Sequence, residues 1–217
     1  DVATGQVRHR LRVSEPPIRR LAFSPDGVWL AGGSELGTVS LWRTGNGEAV
    51  RTIHLPLEPA VTQVAFSNDN RWLAAGNHGK VVLCEVSTGR IVAVLTSSRT
   101  GVYGLAFSPD NTVLAVGGDD HVSLWNLAAQ QESEILVGEH GQVGQAVFSP
   151  DGRTLATWGD DRTVRLWHVA TGRELFMLLR SSQPLAWLRF ASVQTLLVGT
   201  TPDEYAVGEA LVFDARP

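Results

Sequence analysis

The chain consists of short apolar runs separated by polar turn sequences, and the same order of runs recurs along its length. A run ending in Phe is followed by a Ser-Pro-Asp-Gly turn, as in LAFSPDG at 21–27. A second apolar run, an Asp-rich turn and a third run such as TVRLW at 163–167 come next, and a Thr-Gly turn leads into a fourth run. Because Pro presets φ for a type I turn, and Ser and Gly suit its ends, this order predicts strands joined by tight turns.

This unit occurs five times with a steady spacing. Successive Phe positions are 43, 41, 41 and 42 residues apart. They are Phe23, Phe66, Phe107, Phe148 and Phe190. So regular a period indicates a repeat architecture. We place the repeats at about 18–60, 61–101, 102–142, 143–184 and 185–217, the last joined by residues 1–12.

Each repeat predicts four short strands, and therefore one antiparallel sheet. Such a sheet is apolar on both faces, so it is stable only where neighbouring sheets cover it. A ring of sheets leaves no face uncovered. The pattern therefore predicts an all-β fold in which five four-stranded sheets form a single domain.

The stretch GDDRTVRLWHVATGREL at 159–175, with FSPDG upstream at 148–152, resembles the WD-repeat β-propeller family. The resemblance covers essentially the whole chain and implies a propeller of four-stranded blades. It also implies a hydrogen-bonded network in each repeat, formed by a His, a Thr or Ser, an Asp and the Trp of the third strand. The fourth repeat has the complete set: His140, Thr157, Asp161 and Trp167.

The other repeats keep less of this network. The third keeps Asp120 and Trp125, and the first keeps only Trp42. The second repeat has Cys84 where the Trp is expected, and the fifth has Phe213. The repeats are therefore expected to differ in stability.

The two ends of the chain complement each other within the repeat pattern. Residues 1–11, DVATGQVRHRL, match HVATGRELFML at 168–178, and the fifth repeat stops before its fourth run. This complementarity of the two ends resembles that of WD-repeat rings, in which an N-terminal outer strand completes the last blade. Two interpretations stay open: a five-bladed ring closed by residues 1–12, which we favour, and five blades of a longer array.

Composition excludes several classes of protein. The 217 residues carry a net charge of −4, which gives no support for a nucleic-acid partner. No apolar run reaches the roughly 18 residues of a membrane span. The single cysteine, Cys84, excludes an internal disulfide framework and is compatible with a reducing compartment, so we expect a cytoplasmic protein.

No set of side chains predicts catalysis, a metal or a cofactor. Asp119-Asp120 and Asp160-Asp161 fall in the same turn of successive repeats, where Asp favours turn formation. The six histidines have no metal-ligand spacing. AGGSELG at 31–37 lacks the Lys and the following helix of a phosphate loop. We therefore expect a protein that is not an enzyme.

One face of the predicted ring is the expected binding surface. The innermost strands start and the second strands end on this face, and WD-repeat proteins usually recognise partners there. Trp, Tyr and Arg dominate interface hot spots. The residues predicted on this face or near the axis are Arg19, Arg20, Gln63, Tyr103, Gln145, Trp158, Trp187 and Arg189. For Trp158 and Trp187 the alternative is packing between blades, and the long turn at 200–210 is expected to project from the same face.

We expect a non-catalytic scaffold or sensor domain that docks a protein. The partner is a separate protein or an effector domain of the same longer chain, as the resemblance to bacterial WD-repeat proteins implies, and the domain itself is expected to be a monomer. The alternative is a small-ligand sensor that uses the mouth of the central channel around Arg20, Trp187 and Arg189. A propeller enzyme is disfavoured because the innermost strands carry mostly Ala, Gly, Val and Gln.

Overall fold

The computed structural model describes residues 4–11, 17–56, 60–96, 101–138, 141–201 and 208–214. Within these residues it contains nineteen β-strands and no helix, so the predicted all-β class is confirmed. Accordingly, the described part of the chain has no helix of the length and apolarity that a membrane crossing needs. The chain divides into two compact units, Asp1–Val94 and Leu95–Pro217.

The first unit contains two antiparallel sheets, and the boundary between the units falls within the last strand of the second sheet. The strands of the first sheet are β1 (Ile18–Phe23), β2 (Trp29–Ser34), β3 (Thr38–Arg43) and β4 (Ala49–His54). Those of the second are β5 (Gln63–Phe66), β6 (Trp72–Asn77), β7 (Lys80–Glu85) and β8 (Ile91–Thr96). An apolar cluster that includes Leu41, Val61 and Leu73 joins the facing sides of these sheets.

The second unit contains three further sheets. The strands of the first are β9 (Gly104–Phe107), β10 (Val113–Gly117), β11 (His121–Asn126) and β12 (Gln131–Val137). The next has β13 (Val143–Phe148), β14 (Thr154–Gly159), β15 (Thr163–His168) and β16 (Arg173–Arg180), and the last has β17 (Leu185–Phe190), β18 (Thr195–Thr200) and β19 (Ala210–Asp214). Leu124, Val143 and Trp167 belong to a cluster between the first two sheets, and Val164 and Leu188 to one between the last two.

The predicted repeats correspond to these sheets. Four sheets have four strands in sequence order, as predicted, and the fifth has three strands among the described residues. Residues 4–11 form no strand, and residues 12–16 and 215–217 lie outside the described part of the chain. The closure of a single five-bladed ring by the N-terminal strand therefore stays a prediction.

The turn between the first and second strands is held by the same side-chain bonds in four sheets. In the fourth repeat the Ser149 hydroxyl donates to Asp151 Oδ1 at 2.6 Å and accepts the Thr154 N–H at 3.0 Å. Asp151 Oδ1 also accepts the Arg153 N–H at 3.1 Å. The same Ser-to-Asp bond joins three other pairs: Ser24 and Asp26, Ser67 and Asp69, and Ser108 and Asp110. The predicted tight turns are present at these positions.

These turns predict that stability depends on pH. The Ser149 hydroxyl and the Arg153 N–H lower the pKa of Asp151, and equivalent bonds lower the pKa of Asp26 and Asp110. A carboxylate with a lowered folded-state pKa stabilises the fold above its unfolded pKa of about 4 and loses that contribution as pH falls through the folded pKa. The free energy of unfolding, measured by urea titration, is expected to fall as pH is lowered from about 5 to about 2.

Ser149→Ala is expected to weaken this pH dependence, because it removes the main bond that favours the charged form of Asp151. Ser87→Ala, at an exposed turn position, is the matched control. An identical slope of unfolding free energy against pH in both variants would contradict this account.

Candidate functional site

Arg19 and Arg20 of β1 are the first predicted binding residues, and both are exposed. Arg20 Nε donates to the Thr62 carbonyl oxygen at 2.9 Å, and Arg20 Nη1 donates to the Arg19 carbonyl oxygen at 3.1 Å. The Arg19 guanidinium forms an ion pair with Glu35 at 2.6 Å. These bonds give both arginines a defined orientation at the start of β1, close to Gln63, which is half-buried in β5.

Gln145 of β13 bridges two neighbouring sheets of the second unit. Its Oε1 accepts the backbone N–H of Leu188 at 2.8 Å and the indole N–H of Trp158 at 3.3 Å. These two bonds use both lone pairs of the amide oxygen. Gln145 therefore positions β17 and Trp158, a role that its predicted place on a binding face did not include.

The three predicted aromatic residues of the second unit each lie against a glycine. A Cβ atom on Gly144 would stand 2.7 Å from Cη2 of Trp158, and the ring of Tyr103 covers Gly101 in the same way. Trp187 covers Gly199, its neighbour on β18. These glycines allow the rings to approach the backbone closely, which side chains at those positions would prevent.

Trp158 and Trp187 differ in their exposure. Trp158 is half-buried and packs against the apolar cluster between the β13–β16 and β17–β19 sheets. Trp187 is 41% exposed. Arg189 is also exposed and lies two residues further along β17, so it shares a face of that strand with Trp187. The structure thus places Trp158 between sheets and presents Trp187 and Arg189 to solvent.

Tyr103 lies beside the acidic turn of the third repeat. Partial burial, a hydrogen bond to Asp119 and the nearby charges of Asp119 and Asp160 raise the pKa of its hydroxyl. The neighbouring carboxylate of Asp120 contacts His121 Nδ1 at 2.8 Å. The described residues contain no group of three or more His, Cys, Asp or Glu that could hold a metal ion. The carboxylates of Asp119 and Asp120 therefore bind the neighbouring side chains of Tyr103 and His121.

The fourth repeat contains part of the predicted network. The Trp167 indole N–H donates to Thr157 Oγ1 at 2.9 Å, and both residues are buried. Asp161 Oδ1 accepts the N–H and the hydroxyl of Thr163 at 2.9 and 2.8 Å. The fourth member, His140, lies outside the described residues.

Arg165 was not anticipated from the sequence, yet it is buried beside this network. Its Nη1 donates to both carboxylate oxygens of Glu174 at 3.1 and 3.0 Å, and its Nη2 lies 3.6 Å from Asp161 Oδ2. Burial alone would raise the pKa of Asp161, but the bonds from Thr163 and the charge of Arg165 outweigh it, so the pKa is lowered. An arginine at a buried strand position, with an acid nearby in the sequence, is the signal that could have identified this pair.

The first and second repeats are among those that lack the bond between Trp and Thr. Gly32 stands where the fourth repeat has Thr157, and the buried Trp42 indole N–H has no hydrogen-bond acceptor among the described residues. In the second repeat, Cys84 is buried, and burial raises the pKa of its thiol to about 11. The thiol is therefore protonated at neutral pH and fills space in the core.

Comparison with protein families gives a repeated match. A family model described as "WD domain, G-beta repeat" matches residues 5–43, 47–84, 89–126 and 132–168. The last three matches each run from an outer strand of one sheet to the third strand of the next. A comparison with curated proteins gave no match.

The bond between Trp167 and Thr157 predicts a difference between two tryptophans. Trp167→Phe is expected to lower the free energy of unfolding by about 1–3 kcal/mol more than ring truncation alone, because it also removes a buried hydrogen bond. Trp42→Phe removes a similar volume and an N–H with no acceptor in the described residues, so it serves as the control. Equal losses in urea titrations of the two variants would contradict the energetic role of this bond.

Proposed function

Since the chain belongs to the WD-repeat family, we propose that it is a non-catalytic domain that docks a protein partner. WD repeats generally mediate contacts between proteins. The partner is a separate protein or an effector domain of a longer chain that contains these repeats. Two groups with shifted pKa values are unsuited to catalysis, because the Cys84 thiol is buried and Asp161 is held by Thr163 and Arg165.

The observation that carries this proposal is the exposed indole of Trp187. Its ring lies against Gly199, so it presents a large apolar surface with little rotamer entropy left to lose. Trp and Arg contribute most to binding energy at protein interfaces. Arg189, on the same face of β17, adds a planar cation that can bind a carboxylate through two parallel bonds.

Arg20 supports a second contact region, in the first unit. Its bond to the Thr62 carbonyl holds the guanidinium in place, and two bonds use only part of its five donors. A pre-ordered guanidinium loses less entropy on binding than a mobile one. We therefore include Arg19, Arg20 and Gln63 with Tyr103, Trp187 and Arg189 in the proposed docking residues.

A capture experiment tests this function. The parent domain, a Trp187→Ala/Arg20→Glu variant and a Phe176→Ala/Arg90→Glu control would be immobilised and exposed to lysate of the source organism. Phe176 is exposed on the outer strand β16, and Arg90 is exposed just before the outer strand β8. We expect a protein that is retained by the parent and the control and lost by the first variant, with all three showing the same thermal melting curve.

The retained protein would then be purified and its affinity measured directly. Loss of two hot-spot residues is expected to raise Kd at least tenfold, and the control substitutions are expected to leave it unchanged. Equal affinity for all three forms would reject the proposed docking residues.

We also propose that the five repeats form a ring in which the N-terminal residues 1–12 supply the outer strand that is missing beside β19. The β17–β19 sheet has three strands among the described residues, so β19 is an edge there. The first family match begins at residue 5, which corresponds in the repeat to the outer strands β4, β8 and β12. Both observations support a fourth strand drawn from the N-terminal residues.

The exposure of β1 supports the same closure. Phe23 is 66% exposed, whereas Phe66, at the same position of the second repeat, is 8% exposed because a neighbouring sheet covers it. Leu21 of β1 is also exposed. A ring would cover this apolar face and remove the energetic cost of leaving it in water.

Deletion of residues 1–12 tests the closure. It is expected to abolish the cooperative thermal transition or to lower Tm by several degrees, because the last sheet would lose a strand and its cover. A synthetic peptide of residues 1–12 added to the deleted protein is expected to restore the transition. An unchanged melting curve after deletion would reject closure and favour an array in which other repeats supply the missing strand.

A further inference from the structure

A groove of about 410 Å³ opens between two neighbouring sheets of the second unit, β9–β12 and β13–β16. It is lined by the Ser-Asp turns that follow β9 and β13, so it lies at the opposite end of these strands from Tyr103. Its volume is within the range of small-molecule sites, roughly 300–1,000 Å³. The proposed docking residues do not contribute to it.

The floor of this groove is apolar and belongs to the core. Leu124 is almost fully buried, and Val113 and Val169 are half-buried and pack against the cluster between the two sheets. The apolar floor is therefore already formed in the absence of a ligand. An apolar group of a few carbon atoms placed on it would be removed from water on several sides.

Opposite charges stand on the two walls. Asp110 comes from the turn after β9, and Arg153 comes from the turn after β13. Asp110 Oδ1 accepts the Ser108 hydroxyl at 2.6 Å and the N–H and hydroxyl of Thr112 at 3.1 and 2.9 Å. Within the described residues these three bonds all use Oδ1, which leaves Oδ2 to accept from a ligand. The same bonds lower the pKa of Asp110 and keep its carboxyl ionised.

Arg153 provides the cationic side of the groove. Its backbone N–H is bonded to Asp151, and its exposed side chain stands at the groove wall, near enough to the Asp151 carboxylate for its charge to lower the pKa of that group. His168, also in the wall, has Nδ1 in contact with Thr171 Oγ1 at 3.0 Å, and Ser133 donates its hydroxyl to the Leu124 carbonyl. The hydroxyl oxygen of Ser133 can still accept a bond.

We propose that this groove binds an apolar α-amino acid as a free zwitterion. The ligand ammonium pairs with Asp110, the ligand carboxylate pairs with Arg153, and the side chain lies on Val113, Leu124 and Val169. Asp110 and Arg153 are both exposed, so an apolar molecule without charges would gain no pairing from either wall. A ligand with one charge would satisfy one wall and be repelled by the other or leave it unpaired, so the groove favours a molecule with both.

The first unit shows that Arg at this turn position does not by itself form such a site. Arg71 has the same place in the turn as Arg153, but its guanidinium lies over the ring of Trp72, 4.5 Å from the centroid. It therefore contacts its own repeat. Arg71→Gln is a matched control for Arg153→Gln.

Isothermal titration calorimetry with L-phenylalanine tests the proposal. We expect one saturable site that is weakened at least tenfold when either charged group is removed from the ligand, as in 3-phenylpropionate and 2-phenylethylamine, and when the apolar side chain is removed, as in glycine. Arg153→Gln is expected to weaken L-phenylalanine binding at least tenfold, and Arg71→Gln to leave it unchanged. Thermal melting establishes that both variants are folded.

Three results would overturn the proposal. The first is that neither L-phenylalanine nor L-leucine shows saturable binding at ligand concentrations up to about 10 mM, where a Kd of about 1 mM would already give saturation. The second is that L-phenylalanine and 3-phenylpropionate bind equally well. The third is that the parent and Arg153→Gln bind L-phenylalanine equally well. Because none of these depends on Trp187 or Arg20, failure here leaves the proposed docking of a protein intact.

Discussion

Every sheet in this protein is apolar on both faces, and this constraint underlies the rest of its structure. A sheet of this kind gains stability only from the sheets on either side, so burial is shared between repeats. In the first unit Leu41 and Val61 belong to one such shared cluster, and in the second unit Leu124 and Trp167 belong to another. The turns then need only hold each sheet in shape, and one Ser-Asp arrangement serves in four of them.

The local features were predictable because they depend on neighbouring residues. The period of Phe positions located the sheets, and the Ser-Pro-Asp sequence located the turns, since Ser149 and Asp151 bond within three residues. The bond between Trp167 and Thr157 followed from the resemblance to the family. Each of these depends on residues within one repeat, where sequence order largely determines distance.

Features that join separate strands or sheets were harder to predict from the sequence. The Gln145 side chain accepts the N–H of Leu188, 43 residues away, and nothing in its own repeat indicates that donor. Arg165 meets Glu174 across a strand pair whose register shifts twice, so counting alternate residues does not bring them together. Exposure was equally hard to infer, because the sequence pattern predicted Trp158 and Trp187 on the same face, and only packing separates the half-buried one from the exposed one.

Gly32 makes it difficult to introduce the network into the first repeat by a single substitution. The Trp42 ring occupies the space where a side chain at position 32 would lie, with Cζ3 only 2.8 Å from a Cβ placed there. Introducing Thr at that position would supply an acceptor for the indole N–H but would also displace the ring that needs it. A complete network in this repeat would therefore need a change in the backbone spacing or in Trp42 together with the change at Gly32. The packing of the first repeat thus excludes the acceptor that the fourth repeat supplies to its tryptophan.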